Sequence, residues 1–298
     1  MKVLNLSKDV NIDEPITLTI GNFDGLHLGH QTLLETVKSY TDSKHAALTF
    51  DPHPRKYFMG HAYKTLFTIK GKINLFKDKD FDYLIIGKFN QDLANKSIDE
   101  FIEILKYLNV KRLVLGKDFR FAKKASGSIV DLKKHFEVIV VDTIKSDETK
   151  RISTTLIKTL INDGNISEAN KLLGYEYHVL GTVEHGNKVG RKLGFPTANI
   201  NYEDVLLPKI GVYLVKINID NKNHYGLANV GFNPTINVSK NKKLEVYILD
   251  YNDNSYDKEV IITFIERLRD ELKFDTVEEL IKQMENDEIN SRNLIEKM

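Results

Sequence analysis

Two histidines three positions apart, His27 and His30, stand inside the run Gly21-Asn22-Phe23-Asp24-Gly25-Leu26-His27-Leu28-Gly29-His30. Such a pair can hold an anion. With Asp24 it can also hold zinc, which accepts imidazole and carboxylate ligands. The neighbouring residues favour the anion. An apolar run, Ile16 to Ile20, precedes the motif as a buried strand, and Thr32 to Val37 follows it as the start of a helix. A strand that ends in a Gly-rich turn and feeds a helix aims backbone N–H groups, and the positive end of the helix dipole, at one point. His27 and His30 face that point together, and Gly29 lets a ligand approach the backbone closely. The expected product is a cradle for nucleotide phosphates.

A second cluster spans His185 to Asn199. Gly186, Gly190 and Gly194 permit a tight loop with exposed N–H groups, and Lys188 and Arg191 add positive charge, which together suit a polyphosphate. No Gly-Lys-Ser/Thr closes the run, so it is not a P-loop. Alone, it also reads as a glycine-rich hairpin with basic side chains in water. Past Pro196, Thr197 and Asn199 put two hard oxygen ligands on one side of an extended chain, the kind magnesium shares with phosphates. Glu245 interrupts the apolar strand Leu244 to Leu249, on the face opposite Leu244 and Val246. It stands there in water or, if that face lines a barrel mouth, as a base for a hydroxyl proton.

These residues need elements to position them. From Ile16 to about Tyr175, short apolar runs alternate with amphipathic stretches. Strands are expected at Ile16–Gly21, Ala46–Phe50, Tyr83–Gly87, Leu113–Gly116 and Val138–Val141, and helices at Gln31–Tyr40, Ile69–Lys77 and Ile98–Leu108. That alternation predicts an α/β domain, a parallel sheet with helices on both faces and ligands at the carboxyl ends of its strands. Three further sets fall at such ends or at a helix start: Thr49 to Arg55, Leu115 to Phe121, and Arg151 to Lys158 with Ser153, Thr154 and Thr155. Past Gly181 the rhythm changes to short strands, Val212–Ile219, His224–Val230, Leu244–Leu249 and Val260–Ile265, separated by turns. An antiparallel β-barrel or sandwich follows. A last amphipathic helix, Val277 to Met284, covers one opening or face of it. The link between the halves is expected near Leu173 to His178.

The chain has 298 residues with 41% hydrophobic, enough for two cored domains. Lys+Arg (43) nearly balance Asp+Glu (42), which opposes a general nucleic-acid or membrane-surface binder. There is no cysteine, so disulfides, thiolate metal sites and a cysteine nucleophile are excluded, in keeping with a reducing cytoplasm. Met1 to Pro15 carries charges among short apolar pieces and does not read as a signal peptide. No apolar run approaches the roughly 20 residues needed to span a bilayer.

The Gly-x-Phe-Asp-Gly-x-His-x-Gly-His run resembles the nucleotidyltransferase signature. Gly194-Phe195-Pro196-Thr197-Ala198-Asn199, the strand Glu245 and Arg267 to Phe274 resemble a riboflavin kinase module. Together they resemble the bacterial bifunctional riboflavin kinase and FMN adenylyltransferase (FAD synthetase) family over essentially the whole chain. The resemblance implies a Rossmann-like adenylyltransferase domain over 1–176 and a kinase barrel over 177–298. It implies ATP as co-substrate with Mg2+ or another divalent cation, the flavins riboflavin, FMN and FAD, and pyrophosphate release, with no nucleic-acid or membrane partner. By the same resemblance, Gly21, Phe23, Asp24, His27, Gly29, His30, Ser153, Thr154 and Thr155 bind ATP for adenylyl transfer, with His27 and His30 catalytic. Asp118, Phe119 and Arg120 lie on the FMN side. In the kinase, Gly186, Lys188, Gly190, Arg191, Gly194, Pro196, Thr197 and Asn199 bind ATP, Thr197 and Asn199 its metal. Glu245 is the general base, and Arg269, Glu271 and Phe274 meet the flavin. The chain departs from the family at Ala122, often glycine, and at Leu156 and Lys158, often arginine.

Overall fold

The run Ile16–Ile20 is buried at every side chain, as a strand covered on both faces must be. It is β2 of the fold, after an edge strand β1 (Lys2–Asn5). The chain continues through α1 (Leu28–Lys38), β3 (Lys44–Asp51), α2 (Pro54–Met59), α3 (Ile69–Lys77) and β4 (Tyr83–Lys88). Next come α4 (Gln91–Asn95), α5 (Ile98–Tyr107), β5 (Val110–Gly116), the short pair β6 (Arg120–Phe121) and β7 (Gly127–Ser128), α6 (Ile129–Leu132) and β8 (Glu137–Val141). This computed structural model describes residues 1–7, 10, 12–142, 151–185, 193–232, 242–251 and 253–298.

Six strands form a parallel sheet in the order β1-β4-β3-β2-β5-β8. Period-2 alternation splits its side chains between two cores. Leu18, Ile20 and Leu48 pack with Phe101 and Leu105 of α5 on one face. Ala47, Leu84 and Val114 pack with Leu34 and Val37 of α1 and Phe76 of α3 on the other. Helices start where caps allow: Ser97 and Glu100 close a capping box on α5. From β2 the chain moves outward through β3 to β4, then crosses to β5 on the other side of β2. That reversal opens a crevice at the carboxyl ends of β2, β3 and β5. The observed strands are the expected ones extended by up to three residues, except that β2 stops at Ile20; β1 is an addition.

The rest of the chain runs through α7 (Thr154–Asp163), α8 (Ile166–Leu173), β9 (His178–Glu184), β10 (Thr197–Tyr202), β11 (Gly211–Ile219), β12 (Lys222–Phe232), β13 (Lys242–Ile248), β14 (Glu259–Arg269) and α9 (Val277–Ile295). Six antiparallel strands close into a barrel, β10-β13-β12-β11-β14-β9. Asp220 and Asn221, both with positive φ, make the tight turn between β11 and β12. Two barrel strands, β9 and β10, are absent from the sequence expectation. β9 carries Gly181, where a Cβ would lie 2.8 Å from the Asn201 carbonyl oxygen, so the neighbouring backbone approaches too closely for a side chain. β10 reads Thr-Ala-Asn-Ile-Asn-Tyr, too polar for an apolar-run criterion. The last helix is longer than expected, reaching Ile295. Contacts group the chain into two compact units, Met1–Thr154 and Thr155–Met298.

Candidate active sites

In the first unit the signature leaves β2 and turns through left-handed backbone at Phe23 (φ 45°), Gly25 (φ 91°) and Leu26 (φ 34°) before entering α1. His27 is the N-cap: its Nδ1 accepts the N–H of His30 at 3.3 Å. With Nδ1 accepting, the proton of the neutral ring sits on Nε2, which is left as a donor. The two imidazoles stack at 3.7 Å and 17°. A Cβ at Gly29 would press on the His27 ring at 3.3 Å, so glycine makes room for this stack. Burial pulls the His27 pKa down to about 4, with the Arg151 charge helping. His30 is also held well below the usual imidazole range by burial, then by His27 and Lys72. Both rings are therefore neutral at pH 7, which suits hydrogen-bond donation to phosphate without like-charge repulsion between stacked rings.

Other expected residues of this motif build the loop. Phe23 is fully buried and sits edge-on to His30 at 5.3 Å and to Phe76 at 5.5 Å. Asp24 is buried; its Oδ1 accepts the Leu66 N–H at 2.7 Å, and its carbonyl accepts the Thr154 hydroxyl at 2.9 Å. Asp24 thus fastens the loop to two distant segments. Among the described residues, no group of three His, Asp or Glu side chains is arranged to hold a metal. Ser153 is half-buried beside Thr154, and Thr155 is exposed one residue further on.

A cavity of about 950 Å³ opens at the crevice between strand ends. Gly21, Asn22 and Phe50 border it, as do the expected Asp118, Phe119 and Arg120. Asp118 pairs with Arg151, joining two of the sets anticipated at strand ends. Arg55, Phe58, Phe89 and Lys123 also line it. Of these, only Arg55 fell within a set marked in the sequence. His27 and His30 are not among its described lining residues. Ala122, also on this wall, holds φ 62° and ψ −175°, a conformation nearly restricted to glycine. Leu156 and Lys158 are half-buried positions of α7.

In the second unit the site is made by register. Leu244, Val246 and Ile248 point into the barrel core, so Glu245 and Tyr247 face outward. Asn199 of β10 and Asn229 of β12 are the direct partners of Glu245 on its two sides. The pairing sets Asn199, Glu245 and Asn229 in one row across three strands, with Thr197 opposite Tyr247 in the next. A cavity of about 430 Å³ lies on this outer face, while the barrel interior is filled by apolar side chains. Its walls include Thr197, Asn199, Glu245, Arg269, Glu271 and Phe274, every described residue expected to act there except Gly194 and Pro196. Those two precede β10, Gly194 with φ 87°. Gly186, Lys188, Gly190 and Arg191 lie outside the described residues.

Helix α9 covers this face, contributing Leu280, Met284 and Asp287 to the lining. Tyr247 donates its hydroxyl to Glu288 of α9 at 3.3 Å. Arg269 is gripped by buried Asp287, with Nε–Oδ distances of 3.0 and 2.9 Å and Nη2–Oδ2 of 2.6 Å. Lys243 Nζ stands 2.6 Å from a Glu245 oxygen. Asn229, Lys243 and Asp287 were not singled out from the sequence. The signal for Asn229 and Lys243 is the strand register and for Asp287 the packing of α9, neither of which a single sequence prints. Thr197 and Asn199 offer hard oxygen donors on one strand face of a cavity that also holds a carboxylate, a donor set suited to a divalent cation shared with phosphates.

A family model described as FAD synthetase matches residues 9–156, and one described as riboflavin kinase matches 173–295. A bifunctional riboflavin kinase/FMN adenylyltransferase from Listeria monocytogenes is 38% identical, covering 100% of this chain and 99% of that protein. The Haemophilus influenzae protein of the same name is 39% identical over 91% of each chain. A solved structure from Streptococcus pneumoniae, described as a macrolide-efflux protein, matches with TM-score 0.90 at 31% identity, covering 98% of this chain and 99% of that one. Among the described residues, no helix is long and apolar enough to cross a membrane.

Proposed function

The chain belongs to the bifunctional riboflavin kinase/FMN adenylyltransferase family, converting riboflavin to FMN and FMN to FAD, and from that premise we propose how its residues divide the two reactions. Residues 1–176 carry adenylyl transfer and 177–298 carry phosphorylation. Helices α7 and α8, most of which falls between the two matched segments, pack with the barrel unit.

The kinase reading is supported chiefly by the row Asn199–Glu245–Asn229, which sets a carboxylate between two amides in a cavity lined by Arg269. Riboflavin lies against Arg269, Glu271 and Phe274 with its terminal ribityl hydroxyl toward Glu245. Glu245 takes that proton as the oxygen bonds to the γ-phosphorus of ATP and the bond to the ADP oxygen breaks. Thr197 and Asn199 hold the divalent cation, Mg2+ by their chemistry, which neutralises phosphate charge when bound. Gly186, Lys188, Gly190, Arg191, Gly194 and Pro196 complete the ATP loop.

For adenylyl transfer, an FMN phosphate oxygen attacks the α-phosphorus of ATP and pyrophosphate leaves, so no protein nucleophile is needed. Catalysis consists of aligning two anions and offsetting their charge. His27 Nε2–H, the His30 ring and the chain at Gly21 and Gly29 meet the phosphates. Ser153, Thr154 and Thr155 flank them, Phe23 and Asp24 hold the loop, and FMN lies along Asp118, Phe119 and Arg120. The cysteine-free composition supports a cytoplasmic location.

A crossed experiment tests the assignment, with flavins separated after incubation with ATP and Mg2+. Glu245→Gln is expected to stop FMN formation from riboflavin while FAD still forms from supplied FMN. His30→Asn is expected to do the reverse. Loss of both activities in either variant with its fold intact, or of neither, overturns the division.

A further inference from the structure

Lys72 lies on α3, outside the signature and outside the cavity lining, yet it is only 4% exposed. Its ammonium donates to the Asn22 carbonyl at 2.8 Å, to the Thr49 hydroxyl at 3.0 Å and, more weakly, to the Phe50 carbonyl at 3.5 Å. The Thr49 hydroxyl in turn donates to the Asn22 carbonyl at 3.1 Å. Burying a lysine among neutral acceptors is costly unless its donors are satisfied. Here they are spent on two backbone segments, the first residues of the signature and the end of β3. Asn22 and Phe50 both border the cavity.

The next residue, Phe23, holds left-handed backbone that phenylalanine rarely adopts. Such a conformation persists only when its surroundings fix it. Helix α3 supplies both restraints. Lys72 clamps the carbonyl just before Phe23, and Phe76, one turn along α3, packs on the Phe23 ring. Phe23 then sets His30 from the edge. Asp24 and Asp51 are the carboxylates that act on Lys72, and its own charge acts on His30.

We propose that Lys72 is a positioning residue for adenylyl transfer: its buried ammonium pins the signature loop to β3 so that the turn at Phe23, and the histidines beyond it, are preformed for the nucleotide phosphates. This rests on the reading of the first unit as the adenylyl-transfer site. Lys72 does not line the cavity and spends its donors on the loop and β3, so its removal is felt in alignment rather than in binding.

The test uses the full chain with Lys72→Met, Lys72→Arg, Thr49→Val and the control His30→Asn. The expected result for Lys72→Met is a tenfold or greater fall in kcat for FAD formation, with KM for ATP and FMN within threefold and kinase kcat unchanged. Lys72→Arg recovers at least a third of the rate because it restores donors and charge. Thr49→Val, which removes one acceptor of the clamp, gives a smaller fall in the same parameter. Unchanged kcat in Lys72→Met overturns the proposal, as does a rate no better in Lys72→Arg. If Lys72→Met does not fold, Thr49→Val decides, and a wild-type kcat there overturns it. His30→Asn separates the two levels. Loss of FAD formation in His30→Asn with none in Lys72→Met removes only the clamp, whereas full activity in His30→Asn removes the site.

Discussion

The Arg269–Asp287 pair ties a cavity wall to the terminal helix, and Asp287→Asn measures what that tie does. Asp287 is 5% exposed and offers both oxygens to Arg269, while Gln283 donates to Oδ1 at 2.8 Å. Removing one partner of a buried pair costs about 3–5 kcal/mol. The arginine side chain keeps 19% exposure and a second bond, to the Asp270 carbonyl, so the lower part of that range applies. Asparagine keeps one acceptor toward the guanidinium, which brings the expected loss to about 2 kcal/mol. For a unit of roughly 150 residues this lowers the melting temperature by about 4–8 °C. If Arg269 must be held to meet riboflavin, kcat/KM for FMN formation falls about 10- to 100-fold, equivalent to about 1.4–2.8 kcal/mol. FAD formation from supplied FMN stays within about twofold. Thermal melting and steady-state kinetics on the same preparation read both effects. A lower melting temperature with riboflavin kcat/KM unchanged would show that the pair only holds α9 down.

Three further outcomes are expected. Stability of the first unit falls with pH between about 6.5 and 4: burial lowers the His27 pKa to about 4, so the unfolded chain binds more protons in that window. The slope is at most about 1.4 kcal/mol per pH unit for this histidine, and His30 adds in the same direction. Lowered carboxylates such as Glu100 and Asp131 lose their contribution only further down. Urea midpoints followed by circular dichroism measure the slope, which His27→Asn, retaining a capping oxygen, reduces; a flat profile refutes the buried neutral ring. Ala122→Gly relieves a backbone conformation that costs alanine about 1–3 kcal/mol and raises the first unit's melting temperature; an unchanged or lower value contradicts the strain. Thr197→Val removes one hard oxygen and raises the Mg2+ concentration needed for half-maximal FMN formation about tenfold, a loss of about 1.4 kcal/mol. An unchanged Mg2+ titration refutes Thr197 as a ligand.

Much of this was legible because it is local. A cap, a turn and two histidines fall within ten residues, and β2, β3 and β4 announce themselves as apolar runs that a two-sided parallel sheet requires. The strand ends at Asn22, Phe50 and Asp118 follow from the same alternation, so the first cavity was largely foreseeable. Lys72 was not. Helix α3 reads Ile-Lys-Gly-Lys-Ile-Asn-Leu-Phe-Lys, and its spacing sets Lys72 beside Ile69 and Phe76 on the apolar side, away from Lys70 and Lys77, but does not say what its ammonium meets. Only the β2 loop and β3, folded against the helix, supply carbonyls at its depth.

The barrel makes the contrast sharper. Alternation along β13 fixes that Glu245 faces away from Leu244 and Val246, but it cannot say whether that outward face is solvent or site. Two relations across the chain decide it. Antiparallel register brings Asn199 and Asn229 to either side of Glu245, and α9, far along the sequence, closes over the row through Tyr247–Glu288 and Arg269–Asp287. A shift of one residue in the pairing of β10 with β13 would turn Thr197 and Asn199 inward and dissolve the site while leaving every motif intact. On the other edge of β10, the pairing with β9 depends on a close approach at Gly181, where a Cβ would meet Ile200 and the Asn201 carbonyl. Enlarging that residue, as in Gly181→Val, is expected to lower FMN formation although it lies on β9, outside the row Asn199–Glu245–Asn229, and wild-type FMN formation in that variant refutes this dependence.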